Sequence, residues 1–220
     1  MTRILLAGAT GLVGSQVLKC LAGRPGKYTV HVIARRPLES IPIDVQQYVE
    51  DPASWPSAIA KIEPDVAISC LGTTWSKAGK SEEAFRAVDL DMVLMFANAA
   101  RSAGANHMIS ISSVGASAKS SNFYLSTKAE VENDLERLAF GRLDILRPGL
   151  LVGKRGGDRR LGERIAITAS PFTNALLHGP LRQYRSIDSA TVARAIASLA
   201  VSSGQGASIH ENDAITALAG

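Results

Sequence analysis

Two constellations in this chain use residue types that do chemistry at short spacing. Gly8, Gly11 and Gly14 recur at every third position, with Ala9-Thr10 and Leu12-Val13 between them, and Tyr124 and Lys128 stand four apart. The glycine pattern suits phosphate. Gly8 permits a sharp turn, Gly11 lets the backbone approach a pyrophosphate, and Gly14 lets a following helix pack closely on the strand before it. The N-terminus of that helix offers free N–H groups and positive potential. The second pair suits proton transfer. Four apart on a helix, the two side chains leave the same face one turn from each other. An ammonium beside a phenol favours the phenolate and makes the tyrosine a better proton donor or acceptor near neutral pH. Ser113, eleven residues before Tyr124, has a hydroxyl that could hold a substrate carbonyl oxygen where negative charge develops.

Neither pattern says much alone, because glycine triplets can merely join a strand to a helix and most YxxxK pairs lie on ordinary helix surface. The elements around them supply the weight. Arg3 to Ala7 is an apolar run ending at Gly8, a buried strand feeding a turn and then a helix from about Leu12 to Ala22. Further strand-like runs occur at Thr29 to Ala34, Val45 to Val49 and Val66 to Cys70. Phe85, Val88, Met92, Met95 and Phe96 recur at three- and four-residue spacing, which predicts a helix over about 81–103 with Gly104 placed to end it. A strand follows at His107 to Ser112, then a helix from about Tyr124 to Ala139 and a strand at Leu143 to Leu146, closed by Arg147-Pro148-Gly149. Strands and helices alternate, so the expected class is α/β: a Rossmann doubly wound parallel sheet flanked by helices. Ser113 then closes the fifth strand at the carboxyl edge, where ligands bind in such sheets.

From Lys154 to Arg185 the pattern loosens, and Pro171 should break any helix begun near Leu161. This stretch reads as an inserted cap over the site. A helix from about Ser189 to Val201 and a short strand at Ser208 to Glu211 complete the chain. The whole reads as one domain of 220 residues, with residues 150–186 as a small substrate-binding insertion near its C-terminal end.

At the end of the second strand a carboxylate would mark NAD, by pairing with the ribose 2′-hydroxyl. This chain has Arg35 and Arg36 there, and a guanidinium fork suits the 2′-phosphate of NADP. The net charge of +4 is scattered rather than clustered, which argues against nucleic acid. Cys20 and Cys70 lie 50 residues apart with no CxxC spacing or His cluster, so neither a disulfide framework nor a metal site is expected. No apolar stretch reaches the length of a membrane span, and the chain reads as soluble and cytoplasmic. His31 and His107 show no partners that suggest a ligand site, Trp55 reads as packing, and Trp75 could edge the cofactor cleft.

The Gly8 to Gly14 turn, Ile111-Ser112-Ser113, Tyr124-Leu125-Ser126-Thr127-Lys128 and Arg147-Pro148-Gly149 resemble the extended or atypical short-chain dehydrogenase/reductases. More narrowly, Cys70-Leu71-Gly72-Thr73-Thr74, Lys77-Ala78-Gly79, Val88-Asp89 and Lys119-Ser120-Ser121-Asn122-Phe123-Tyr124 are similar to the Tat-interacting-protein-like oxidoreductase branch. The resemblance implies that the Gly8, Gly11 and Gly14 backbone holds the pyrophosphate, with Thr10, Leu12 and Val13 in the same turn. Arg35 and Arg36 would meet the 2′-phosphate. Leu71, Gly72 and Thr73 would border the adenosine half, Lys128 would also bond the nicotinamide ribose, and Pro148, Gly149 and Leu150 would flank the nicotinamide. Ser113 is chosen over Ser112 because the family's serine usually precedes a small apolar residue, here Val114. Many relatives carry an asparagine where this chain has Val88-Asp89, so no asparagine-dependent proton relay is expected; Asn98, on the same helix, is read as structural.

The implied activity is NADP-dependent hydride transfer to or from a small-molecule carbonyl or alcohol, with no nucleic acid or membrane partner and the oligomeric state unspecified. Two alternatives stand beside it: an NADPH-binding sensor with little turnover, and a nucleotide-sugar epimerase or dehydratase.

Overall fold

The apolar runs form strands buried on both faces, as the central strands of a parallel sheet must be. The structure is a computed structural model and describes residues 1–23, 26–153 and 179–220. The chain opens with β1 (Thr2–Ala7), α1 (Gly14–Leu21), β2 (Tyr28–Ala34), β3 (Val45–Val49), α2 (Trp55–Ile62) and β4 (Val66–Ser69). A long helical rod follows as α3 (Glu82–Arg86), a π-turn (Ala87–Asp91) and α4 (Met92–Ser102). Then come β5 (His107–Ile111), α5 (Phe123–Arg137), β6 (Arg142–Arg147) and the short β7 (Leu151–Val152). The last elements are β8 (Ile187–Asp188), α6 (Ser189–Val201), β9 (Gly206–Glu211) and α7 (Asn212–Leu218).

Seven strands form one sheet in the order β3-β2-β1-β4-β5-β6-β9, every pair parallel. The order runs one way from β1 and the other way from β4, so the winding reverses between them, and the crevice of a doubly wound sheet opens at the carboxyl ends of those strands. This is the Rossmann architecture expected. One hydrophobic layer packs α1 and α6 on the sheet through Val17, Leu18, Val192 and Ile196. The opposite layer packs α2, α4 and α5 through Trp55, Ile59, Phe96 and Leu135.

Local chemistry explains where the helices start and stop. The Ser81 hydroxyl accepts from the Ala84 N–H at 3.1 Å and caps α3. Asn122 does the same for Leu125 at 3.3 Å ahead of α5, and Asp188 for Ala190 at 2.6 Å ahead of α6. Gly104, at φ +102°, ends the long rod as expected. The rod itself differs from the expected single α-helix, because the π-turn inserts an extra residue and turns Asp89 and Leu90 into the interior. α7 was not foreseen at all. The expected cap over Lys154 to Arg185 lies outside the described residues as far as residue 178; Gly179–Tyr184 forms a 3-10 turn. No described helix is long and apolar enough to cross a membrane.

Candidate functional site

The parallel topology delivers the residues singled out above to one edge, because the segments that follow β1, β2, β4, β5 and β6 all leave the sheet at its carboxyl end. After β1, Gly8 has φ +84° and its carbonyl accepts the Gly11 N–H at 2.9 Å. A Cβ on Gly8 would lie 2.4 Å from the Cys70 carbonyl oxygen, and one on Gly14 would lie 2.1 Å from the Gly8 carbonyl oxygen. The turn therefore closes on bare backbone. At Gly11 the nearest neighbour of such an atom is the Gly8 oxygen at 3.2 Å, which leaves the outer side of the cradle open. Thr10 is exposed, Gly11 and Leu12 are half-buried and Val13 is buried. A backbone cradle at a helix N-terminus fits a pyrophosphate. Cys70 lies beneath it, and burial pushes its thiol up to about 12, which leaves it inert.

Arg35 and Arg36 follow β2 directly and are both exposed. Leu71, Gly72 and Thr73 follow β4. Past β5, the Ser112 N–H donates to the Leu146 carbonyl at 2.7 Å, and its buried Oγ has no partner. Ser113 is half-buried, with its Oγ a long 3.4 Å from the Val114 carbonyl. Past β6, Pro148 is buried and Leu150 is 56 % exposed. The Gly149 N–H donates to Asn212 Oδ1 at 2.8 Å, while Asn212 Nδ2 donates to the Arg185 carbonyl at 2.6 Å. Asn212, on the unforeseen α7, thus joins the loop after β6 to the segment before β8.

Tyr124 and Lys128 lie on the first two turns of α5, with the Lys128 Nζ 6.0 Å from the Tyr124 ring centroid. The ring packs on Phe85 at 5.5 Å, which in turn packs on Phe123 at 5.8 Å and Trp75 at 6.4 Å. Trp75 stays 40 % exposed at the rim of this aromatic wall. The Lys128 ammonium is not a bare charge: it forms a buried ion pair with Asp89 Oδ1 at 2.7 Å. Asp89 Oδ2 accepts the Thr73 N–H, also at 2.7 Å. In the sequence Asp89 stands within the Val88-Asp89 motif of the narrower resemblance and as a departure from the asparagine of many relatives, with no role of its own assigned. A carboxylate on the apolar side of a helix, directly before Leu90, was the signal that could have marked it.

Asn98 is exposed on α4 and donates to the Leu94 carbonyl at 2.8 Å, away from this edge. His31 stacks on Tyr48 with ring centroids 5.9 Å apart, and burial, then the Arg3 charge, lowers its pKa. His107, expected to have no partners that suggest a ligand site, belongs to a buried network of charges. Asp144 meets His107 Nε2 at 2.8 Å, His210 Nε2 at 2.7 Å and Arg142 Nε at 2.6 Å. Burial alone would raise the Asp144 carboxyl, but the hydrogen bonds from His107 and His210 and the Arg142 charge hold it well below the usual carboxylate range. His107 and Arg142 begin β5 and β6, Asp144 lies mid-strand in β6 and His210 near the end of β9, so the network ties three neighbouring strands together. Among the described residues no group of His, Cys, Asp or Glu is placed to hold a metal ion.

The family model described as HIM1 matches residues 33–180. Protein FMP52, mitochondrial, of Debaryomyces hansenii is 39% identical over 163 residues, covering 73% of this chain and 71% of the relative. Its namesake in Candida albicans is 34% identical over 194 residues, covering 86% and 84%. Among solved structures, the UDP-glucose 4-epimerase of Thermus thermophilus in complex with NAD superposes with a TM-score of 0.69. It is 20% identical and covers 99% of this chain and 82% of that chain, a likeness that shows the fold. These findings overturn the expected cytoplasmic location, since the relatives are named as mitochondrial proteins. The shared fold is the doubly wound Rossmann fold expected, and the narrower likeness to the Tat-interacting-protein-like branch is not among these findings and rests on the quoted motifs alone.

Proposed function

The chain belongs to the HIM1 family, and on that footing we propose that it is an NADP-dependent oxidoreductase acting on the carbonyl group of a small organic molecule. One observation carries this reading: Tyr124 and Lys128 share a face of α5 at the carboxyl edge onto which the Gly8–Gly14 cradle opens. Bound NADPH would supply hydride to the carbonyl carbon, so that NADPH, a proton and the carbonyl compound become NADP⁺ and the alcohol.

The chain's own residues do the rest. Backbone N–H groups at Leu12 to Gly14 hold the pyrophosphate, the Gly11 N–H being used within the turn by the Gly8 carbonyl, and Arg35 with Arg36 holds the 2′-phosphate, for which the absence of a carboxylate directly after β2 is the support. Leu71, Gly72 and Thr73 border the adenosine half, and Pro148, Gly149 and Leu150 flank the nicotinamide. Tyr124 Oη donates the proton, Ser113 Oγ donates to the carbonyl oxygen, and Lys128 supplies positive charge beside the phenol and bonds the ribose. The exposed face of Trp75 beside an aromatic wall suits an apolar substrate body.

The test is NADPH-linked turnover across a panel of aldehydes and ketones, with Tyr124→Phe as comparison. The expected result is a loss of roughly 100-fold or more in kcat with NADPH binding retained. Undiminished turnover by Tyr124→Phe would rule the tyrosine out as proton donor. A nucleotide-sugar epimerase reading draws support from the named activity of the solved neighbour of like fold, and interconversion of a UDP-sugar without net use of NADPH would favour it.

A further inference from the structure

We propose that Asp89 is a positioning residue: its carboxylate anchors Lys128 beside Tyr124 and ties that lysine to the loop that borders the cofactor. The inference rests on the oxidoreductase reading above and adds a component to it. Asp89 is 1% exposed, and both of its oxygens are committed, one to Lys128 Nζ at 2.7 Å and one to the Thr73 N–H at 2.7 Å. Lys128 is itself only 6% exposed. A charge taken so far from water persists only when paired and hydrogen-bonded, so neither group can be removed without leaving the other unsatisfied.

The backbone is arranged for this contact. The long rod of α3 and α4 is α-helical except at Ala87–Asp91, and that π-turn is where Asp89 enters the interior. Inserted π-turns recur at functional sites because they re-aim one side chain within an otherwise regular helix. The loop after β4 closes onto the same group: a Cβ on Gly72 would come within 3.4 Å of Asp89 Oδ1. One carboxylate thus joins three elements, the cofactor loop, the central helix and α5.

The surrounding charges cannot stand in for it. Arg86 of α3 is paired with Glu130 of α5 at 2.7 Å, and Glu132 of α5 is paired with Arg147 of β6. Asp91 and Glu82 on the same rod are exposed. Lys128 Nζ is far closer to the carboxylate, at 2.7 Å, than to the Tyr124 ring centroid, at 6.0 Å. The phenol therefore faces an ion pair held in one place, and the carboxylate determines where the ammonium sits when the ribose and phenol need it.

A double-substitution cycle with Asp89→Asn, Lys128→Met and the two combined tests this, read in NADPH fluorescence titration, in kcat and in thermal melting. Asparagine keeps an acceptor for the Thr73 N–H and loses the charge, so kcat should fall by about tenfold or more, while NADPH affinity falls no further than in Lys128→Met, which removes the ribose contact itself. On the Lys128→Met background the same substitution should cost less than about threefold further, because Asp89 acts through the lysine. The combined variant should also melt above Asp89→Asn alone, since it leaves neither charge unpaired. If Asp89→Asn melts too low to assay, Asp89→Glu takes its arm: the charge remains but is displaced by one methylene, and kcat should fall only where Lys128 is present. Wild-type kcat in the assayed Asp89 variant, or an equal loss on both backgrounds, overturns the proposal while leaving the oxidoreductase reading intact. A wild-type chain that binds NADPH yet reduces nothing in the panel sinks that reading, and this proposal with it.

Discussion

The Gly8 carbonyl oxygen occupies the space a Gly14 side chain would need: a Cβ there would lie 2.1 Å from it. Both partners are backbone at the junction of β1 and α1, so nothing flexible can move aside. Gly14→Ala should therefore destabilise the chain by about 1–3 kcal/mol through overpacking and weaken NADPH binding with it. Gly11→Ala provides the contrast, since its Cβ meets the Gly8 oxygen at 3.2 Å, a tight contact that a shift of a few tenths of an ångström relieves. That variant should lose less stability than Gly14→Ala and lose cofactor affinity, because the added methyl blocks the approach of the pyrophosphate. Equal stability losses for both would contradict the cradle geometry.

Arg35 and Arg36 are exposed directly after β2, where a charge-assisted hydrogen bond to a 2′-phosphate is worth about 1.5–3 kcal/mol. Replacing both with alanine should weaken NADPH binding by roughly 10- to 100-fold and leave NADH binding nearly unchanged. Fluorescence titration with each cofactor checks this. If NADH binds the wild type more tightly than NADPH, the assignment of NADP fails.

The adjacent serines separate by environment. Ser113→Ala should lower kcat by roughly 100-fold, the scale for losing one donor to a developing oxyanion, with NADPH affinity unchanged. Ser112→Ala removes a buried hydroxyl that has no partner and should alter stability by less than about 1 kcal/mol. If the kinetic loss followed Ser112 instead, the catalytic hydroxyl would move one position along the chain.

Asp144 should govern acid stability. Its carboxyl sits below the ordinary value near 3.8 in the folded chain, so the stability it contributes is present above about pH 4 and is lost as pH falls through the lower folded-state value. Asp144→Asn leaves Arg142, His107 and His210 without their shared anion and should cost about 3–5 kcal/mol at neutral pH. Denaturant unfolding from neutral pH downward should show wild-type stability falling steeply below about pH 4 and the variant responding less. Parallel curves would show that the network does not control acid unfolding.

Elements whose cause is local were legible in the residues. α6 runs over Ser189–Val201 as expected, because its apolar period is regular and Asp188 caps its start. The long rod was legible in its period and its Gly104 stop, but not in its π-turn, because a shift of hydrogen-bond partner by one residue carries no residue-type signature. α7 was missed because Asn212–Leu218 is seven residues long, too short for periodicity to register. With it went Asn212 and its hold on Gly149.

The candidate site divides in the same way. Residue type and spacing alone determined that a glycine turn sits between β1 and α1, and that Tyr124 and Lys128 share a helix face, since both are consequences of backbone geometry within a few residues. Tertiary structure alone decided that Lys128 meets Asp89, that Asp89 also meets Thr73, and that His107 and His210 meet on Asp144. Those contacts join segments far apart in the chain. Their existence depends on strand order, helix packing and the exclusion of water that makes an unpaired charge untenable, and no spacing within one segment encodes any of these.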